Sequence, residues 1–268
     1  MAPHIIVINL DRDTGRMAHM RAEFDRLSLQ YERFAALRGD TLPPALARYF
    51  PFGVQLSPGE IGCYASHLAI MQRLASGELP SPLLVLEDDV GLPPDLPQAL
   101  EALVGALPAS WDIVRLSYHT KLLVRRVAPL GAQRHLVRYS LVPTTTGAYL
   151  ISPSGARKFL AERPRHLPID HDLRRVWEWD LDTYGVSPPL IRHEVLDRSS
   201  IDALSPAGRA CVHRRPLKPG LSIARLRRGL RDFGLRRWLA LGPLNLATRV
   251  TPKPLRQSFV QWANARLA

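Results

Sequence analysis

Residues 82–90 read Pro-Leu-Leu-Val-Leu-Glu-Asp-Asp-Val, and this stretch is the most informative feature of the chain. Five apolar residues run directly into three carboxylates, and two prolines follow at 93–94. An apolar run bounded by prolines is typical of a buried strand in a parallel sheet. Three adjacent acids repel one another unless a cation lies among them. Because open α/β sheets bind ligands at strand ends, the stretch predicts a site for Mg²⁺ or Mn²⁺ holding a phosphorylated substrate.

Strands alternate with helices through the first half of the chain, which predicts an α/β fold with a parallel sheet. Residues 4–10 form the first predicted strand, and Asp13 or Thr14 caps the helix that follows. Ser57 and Glu60 have the spacing of a capping box, so they open a helix that is expected to stop near Gly77.

Later segments carry weaker signals. Residues 121–139 are rich in arginine and broken by Pro129 and Gly131, which favours a hairpin, and residues 169–181 are predicted as one helix. Two prolines interrupt residues 186–191, and this position suits an edge strand.

Charge divides the 268-residue chain into two predicted parts. Residues 205–268 contain 14 Lys and Arg against one acid, whereas residues 1–204 contain 22 basic and 23 acidic residues. We therefore predict a globular domain over 1–204 and a basic, partly helical extension over 205–268. Two cysteines, Cys63 and Cys211, are too few for a disulfide framework, and neither a signal peptide nor a membrane span is evident. These features favour a cytoplasmic protein.

Four segments give the chain a resemblance to glycosyltransferase family 25. Residues 7–12 with Arg16 resemble the family's N-terminal INLDR…R signature, and residues 56–67 resemble its most specific segment, L-[ST]-x-G-E-[IV]-G-C-x-x-S-H. Residues 84–90 resemble the family's LEDD version of the DXD motif, and residues 146–152 resemble its GAYLIS segment. The resemblance implies a GT-A-like, Rossmann-type, mostly parallel sheet flanked by helices, a nucleotide-sugar donor, and inversion at the anomeric carbon.

The resemblance and the strand pattern together nominate site residues. Glu87 and Asp89 flank one residue, so both are expected to face the ligand, with Asp88 turned aside or acting as a second ligand. Arg12 and Arg16 are expected to pair with diphosphate oxygens, although both also suit a solvated helix start. The nominated donor-binding residues are Asn9, Leu10, Arg12, Arg16, Ser66, His67, Glu87 and Asp88, and the nominated ligands for Mn²⁺ or Mg²⁺ are Glu87, Asp89 and His193.

Cys63 and His67 lie four residues apart on one helix face. Two ligands do not make a closed zinc site, so Cys63 is predicted to be a core residue.

An inverting transfer needs a general base for the attacking hydroxyl. Residues 168–170 resemble the family's P-[IV]-D element, which makes Asp170 the first choice, although Asp170 also suits a helix cap. The alternatives are Asp172, Glu178, Asp180 and Asp182.

The basic segment at 221–239 mixes arginine with Leu, Phe and Trp at near-helical spacing. This pattern suits the anionic inner face of the cytoplasmic membrane, where a glycolipid acceptor would lie. A solvated arginine-rich helix and non-specific nucleic-acid contact are the alternatives, and nucleic acid is not the expected partner.

The leading hypothesis is a metal-dependent transferase that moves a hexose, with galactose from UDP-galactose as the family default, onto a lipopolysaccharide-type glycan. The competing hypotheses are a catalytically silent transferase-like fold that binds membrane or nucleic acid, and a nucleotide-sugar hydrolase.

Overall fold

The computed structural model describes residues 2–117, 122–193 and 222–267, and the side chain of His193 lies outside the described part. About the first quarter of the predicted basic extension, residues 205–221, also lies outside it. Within the described ranges the chain forms one eight-stranded sheet in the order β2-β1-β3-β8-β5-β9-β7-β6, and a separate pair, β4 with β10. The strands are β1 His4–Asn9, β2 Glu32–Ala35, β3 Leu83–Glu87, β4 Val90–Gly91, β5 Ile113–Arg115, β6 Val124–Leu130, β7 Arg134–Tyr139, β8 Ala148–Ile151, β9 Thr183–Ser187 and β10 Arg192–His193.

The sheet is mixed, which corrects the expectation of a mostly parallel one. Strands β2, β1 and β3 pair in parallel, as do β5 and β9, but β8 lies antiparallel between β3 and β5. The hairpin of β6 and β7 adds two further antiparallel pairings. All four side chains of β8 are buried. Because a fully buried apolar run has the same composition in either direction, the sequence carries no signal for the reversal of β8.

Helices cover both faces of this sheet. One face packs against α3 and α5 through Tyr64, Leu68 and Phe159, and the other packs against α1 and α4 through Met20 and Leu100. The helices are α1 Thr14–Leu27, α2 Pro44–Ala47, α3 Pro58–Ala75, α4 Leu96–Ala106, α5 Pro153–Phe159, α6 Ile169–Arg174, α7 Ile223–Val250 and α8 Arg256–Leu267.

Local signals in the sequence account for several boundaries. The Ser57 hydroxyl accepts from the Glu60 amide and the Glu60 carboxylate accepts from the Ser57 amide, so the predicted capping box opens α3. The hairpin predicted within residues 121–139 is present as β6 and β7, with Pro129 on the edge strand.

Two boundary predictions were wrong. The helix expected over 169–181 stops at Arg174 and gives way to a 3₁₀ turn at Val176–Glu178. The strand expected at the sheet edge, β9, lies between β5 and β7 and ends at Ser187, so its two prolines follow the strand without interrupting it.

The C-terminal helices are held against β6, β7 and the 3₁₀ turn by charged and apolar contacts. Asp232 of α7 is buried and pairs with Arg228 at 3.0 Å and with Arg138 of β7 at 3.7 Å. Helix α7 is interrupted at Gly234, whose φ of 71° is favourable only for glycine. Phe233, Leu241, Ala263 and Leu267 pack with Leu123 in a small separate core. No helix in the described ranges combines the length and apolar character that crossing a bilayer would require.

Candidate functional site

A cleft opens where the parallel strands β1 and β3 end. This is the edge at which α/β sheets bind their ligands. Three segments that are distant in sequence meet there: the β1–α1 connection, the start of α3 and the acidic cluster after β3. Its lining includes Asn9, Leu10, Asp13, Arg16, Leu37, Arg38, Asp40, Pro58, Cys63, His67, Glu87, Asp88 and Asp89.

The three acids of the cluster have different environments. Asp88 is 8% exposed, and its two oxygens accept hydrogen bonds from the Asn9 amide at 2.7 Å and from Arg16 at 3.1 Å. Burial raises the pKa of the Asp88 carboxyl, and the two hydrogen bonds act against this rise. The side chains of Glu87 and Asp89 are 25% and 30% exposed and border the cleft. Asp88 is therefore committed to the protein, whereas Glu87 and Asp89 have oxygens at the cleft.

Asn9 connects the end of β1 to the acidic cluster. Its side chain is buried. The side-chain nitrogen donates to both Asp88 and the Asp13 carbonyl, and the side-chain oxygen, Oδ1, accepts from Arg33 Nε at 3.0 Å. Three of its hydrogen-bonding positions are thus used within the protein. Asn9 borders the cleft, but its geometry makes it a residue that positions Asp88.

The two arginines nominated for the diphosphate lie in different places. Arg16 borders the cleft, and its Nη1 lies 3.8 Å from Asp89 in addition to its bond with Asp88. Arg12 does not line the cleft; its side chain is 45% exposed and its Nε lies 3.8 Å from Asp13. The structure brings Arg16, but not Arg12, to the acidic cluster.

The two nominated residues of α3 also differ. Ser66 is fully buried away from the cleft, where its hydroxyl donates to the Gly62 carbonyl at 2.7 Å and accepts from the Leu37 amide at 2.8 Å. The side chain therefore joins α3 to the chain after β2. His67 borders the cleft, with Nδ1 2.8 Å from the Tyr149 hydroxyl and Nε2 3.7 Å from Glu87 Oε1.

Cys63 is both a core contact and a cleft residue, whereas the sequence predicted only the first. It is half-buried, packs against the core on the α3 side of the sheet, and lines the cleft beside His67 and Glu87. Glu87 accepts from the Thr146 hydroxyl at 2.6 Å.

Asp170, the nominated base, lies in the first turn of α6 and accepts from the His171 amide at 2.8 Å. Burial raises the pKa of its carboxyl and Glu87 adds to this effect, while His171 and Arg115 act against it. It is not among the residues that line the cleft, but its side chain is partly exposed and its charge acts on both Glu87 and Cys63.

Three of the four alternative bases have close partners elsewhere, and the fourth is exposed. Asp172 accepts from the Tyr64 hydroxyl at 3.0 Å, Glu178 pairs with Arg175, and Asp182 pairs with Arg138. Asp180 is 86% exposed. The side chain of His193, nominated as a metal ligand, falls outside the described part of the chain.

Sequence reasoning missed Arg115. Its side chain is fully buried at the end of β5, and all three guanidinium nitrogens lack a hydrogen-bond partner within the described ranges. Burial lowers its pKa, and the acids that counteract this effect are Asp170 and Glu87. The available signal was an arginine inside the apolar run at 113–116, because a buried charge without partners is costly.

Comparison with known proteins places this site in a family. The family model described as Glycosyltransferase family 25 (LPS biosynthesis protein) matches residues 2–173. The chain belongs to glycosyltransferase family 25. The family 25 match covers the whole cleft together with Asp170, and it ends before β9, β10 and the C-terminal helices.

Relatives of this family 25 chain differ in the activity that their names state. It is 31% identical over 187 residues to the Glycosyltransferase 25 family member of Anopheles gambiae, a match that covers 63% of this chain and 31% of that protein. It is 30% identical over 186 residues to the Inactive glycosyltransferase 25 family member 3 of Mus musculus, covering 63% and 31% respectively. The chain thus spans about a third of the length of these relatives.

Among solved structures, the family 25 chain matches a glycosyltransferase involved in the glycosylation of the major capsid of PBCV-1. The sequences are 12% identical, the TM-score is 0.43, and the match covers 76% of this chain and 97% of that one. The likeness is too distant to inform the site.

Proposed function

We propose that the chain transfers a hexose, with galactose as the expected sugar, from a nucleotide-diphosphate donor to a lipopolysaccharide-type glycan. The observation that carries this proposal is the pair of cleft carboxylates, Glu87 and Asp89, at the end of two parallel strands in a family 25 chain. A divalent cation held by these two oxygen ligands would stabilise the charge of the departing diphosphate. The position of the two carboxylates supports this role, because both line the cleft, whereas the Asp88 carboxylate is buried against Asn9 and Arg16.

The protein's own residues perform the positioning. Asn9 and Arg16 hold Asp88 inside, so the backbone of the cluster is fixed and the alternation of side chains turns Glu87 and Asp89 to the cleft. Arg16, which lines the same cleft, supplies a cation for phosphate oxygens. Arg12 does not line the cleft, so we propose that it contacts the donor only where the donor extends beyond the cleft.

Asp170 is the proposed base for the acceptor hydroxyl. A carboxylate is a better proton acceptor when its pKa is raised toward neutrality, and burial moves the pKa of Asp170 in that direction. Removal of the acceptor proton on the side opposite the leaving diphosphate would invert the anomeric carbon. His193 is retained as a proposed third ligand of the metal.

The test is UDP release from a panel of UDP-sugars with Mn²⁺, measured with and without a glycan acceptor. We expect release with UDP-galactose to depend on both Mn²⁺ and acceptor. Asp89→Asn should reduce it by about 10²-fold or more if the carboxylate carries transition-state charge, whereas Asp25→Asn, an exposed acid on α1 outside the cleft, should behave as the parent.

Three results would argue against transfer. Release that ignores acceptor would indicate a hydrolase, and full activity after chelation would remove the metal from the proposal. If no UDP-sugar bound, the result would favour the alternative of a catalytically silent transferase-like fold. The name of the mouse relative, which includes the word inactive, is the reason to test for this outcome.

A second observation concerns where the enzyme works. Helices α7 and α8, with the short segment between them, are arginine-rich and also expose large apolar side chains at Ile223, Leu235, Leu239, Leu246, Val250, Leu255 and Trp262. We propose that these helices bind an anionic membrane, which would hold the chain at the inner face of the cytoplasmic membrane near a glycolipid acceptor.

Vesicle flotation tests this second proposal. Binding should require anionic lipid, fall as salt rises, and be lost in Leu235→Asp/Leu239→Asp but not in Val127→Asp, a matched exposed apolar residue on the hairpin. Binding to DNA but not to vesicles would overturn it.

A further inference from the structure

Three side chains of different chemical type converge at the inner wall of the cleft. They are the thiol of Cys63, the imidazole of His67 and the carboxylate of Glu87, and their potential ligand atoms all lie within 4.8 Å of one another. Cys63 and His67 come from successive turns of α3, whereas Glu87 ends β3. A sulfur, a nitrogen and an oxygen ligand in one place form the ligand set of a zinc-type ion, in contrast to the all-oxygen set preferred by Mg²⁺.

His67 is already oriented as a metal ligand. Its Nδ1 is hydrogen-bonded to the Tyr149 hydroxyl at 2.8 Å, and this phenol is fully buried. Its Nε2 is buried and has no hydrogen-bond partner within the described ranges, yet lies 3.7 Å from Glu87 Oε1. Histidine ligands typically use one ring nitrogen for the metal and the other for a hydrogen bond that fixes the ring. In the tautomer with the proton on Nδ1, the Nε2 lone pair faces the cluster.

The spacing requires only small side-chain adjustments. Zinc bonds of about 2.0 to 2.3 Å in tetrahedral geometry separate neighbouring ligand atoms by about 3.3 to 3.8 Å. The imidazole and carboxylate are at this spacing now, and the thiol lies within 4.8 Å of both, so a shift of about 1 Å would bring all three into range. The fourth position would face the cleft, as in zinc sites that stay open to a ligand.

We propose that Cys63, His67 and Glu87 form a binding site for Zn²⁺ or another thiophilic divalent ion. Glu87 is also a ligand of the hard cation in the proposed function. If that function holds, one carboxylate serves two sites, so zinc occupancy inhibits transfer by removing Glu87 from the donor's cation.

Zinc binding at this site is expected to depend on pH. Zinc binds cysteine as the thiolate, so an ion bound here would displace the thiol proton of Cys63. Zinc affinity consequently falls as pH falls.

Cobalt absorption tests the site without any need for activity. Co²⁺ bound to a thiolate gives a charge-transfer band in the near ultraviolet, and the full chain should show one that Zn²⁺ abolishes. The band should be lost in Cys63→Ser and His67→Gln and kept in Cys211→Ser, which changes the other cysteine of the sequence. Tyr149→Phe should keep the band but weaken binding by about 10- to 100-fold, the usual effect of removing the partner that orients a ligand.

An experiment on the unmutated chain covers the case in which a variant does not fold. Zn²⁺ should protect Cys63, but not Cys211, from alkylation mapped by mass spectrometry. The absence of a cobalt band, a band that depends on Cys211, or equal alkylation of Cys63 with and without Zn²⁺ would each overturn the site.

The inhibitory role has its own readout. Transfer should be inhibited by micromolar Zn²⁺, and Mn²⁺ should relieve the inhibition competitively. A cobalt band without inhibition would overturn the shared carboxylate but not the site. Failure of transfer with every donor would overturn the proposed function, while the cobalt result would stand unaffected.

Discussion

Adjacent carboxylates in the acidic cluster should respond oppositely to the same substitution. We compare Asp88→Ala with Asp89→Ala, each of which removes one carboxylate. Asp88 is 8% exposed and joins the ends of β1 and α1 through Asn9 and Arg16, whereas the Asp89 side chain is 30% exposed at the cleft. Asp88→Ala should therefore reduce stability, and Asp89→Ala should reduce transfer with the fold retained.

The magnitude for Asp88→Ala follows from its two partners. The Asn9 amide is 2% exposed, so the loss of its acceptor leaves a buried donor unsatisfied at a cost of about 1 to 3 kcal/mol. Arg16 reaches the cleft and can regain water. Burial raises the pKa of Asp88, so the buried charge is itself unfavourable. Removing that charge in Asp88→Ala offsets part of the stability that the lost hydrogen bonds contributed. We expect a net loss of about 2 kcal/mol in the free energy of unfolding, or roughly 4 to 8 °C in Tm for a chain of this size.

Asp89→Ala should change little in the fold, because an exposed ion pair contributes about 0 to 1 kcal/mol. Thermal unfolding monitored by circular dichroism measures both variants, and UDP-sugar turnover with Mn²⁺ measures the second effect. The reasoning would be refuted if Asp89→Ala had the lower Tm of the two, or if it retained parental turnover.

Three further predictions concern the scaffold. Burial raises the pKa of Asp172 to about 6, above its value in the unfolded chain, so the stability contributed by its protonation is complete below about pH 4 and is lost as the pH rises through 6. Asp172→Asn should flatten this pH dependence of the free energy of unfolding, measured by urea titrations at several pH values, and an unchanged slope would contradict the prediction. Asp232→Asn should destabilise by about 3 kcal/mol because it leaves the buried Arg228 without its counter-ion, whereas a Tm within 2 °C of the parent would exclude a role for this pair in holding α7. Gly62→Ala should cost about 1 to 3 kcal/mol, since its Cβ would meet the Leu37 carbonyl oxygen at 2.4 Å; a variant as stable as the parent would show that this backbone can move.

The parts of the fold that local chemistry specifies were predictable. The apolar run before Glu87 and the Ser57 cap are decided by neighbours in sequence, and β3 and α3 begin where these signals stand. The reversed β8 was not predictable, because its direction depends on pairing with β3 and β5, far away in the chain.

The site divides in the same way. Alternation along an extended segment separates Asp88 from its neighbours, so local reasoning was sufficient there. The contact of Asn9 with Asp88 spans 79 residues, and the approach of Glu87 to Cys63 and His67 joins β3 to α3. Such contacts depend on how elements pack, and one sequence carries no direct record of that packing. Ser66 is the instructive case, since its motif position suggested ligand contact, whereas its hydroxyl is hydrogen-bonded to two backbone groups.

Arg16 gives the acidic cluster a resident counter-ion. Its guanidinium contacts Asp88 and lies near Asp89, so part of the negative charge is compensated before any ligand arrives. A lone divalent ion would meet this positive group as a competitor, whereas a diphosphate would give the arginine new partners. Under the proposed function, cation and nucleotide sugar should thus enter as one complex. Each should tighten the binding of the other by the same factor, a reciprocity that calorimetry can measure in either order of addition.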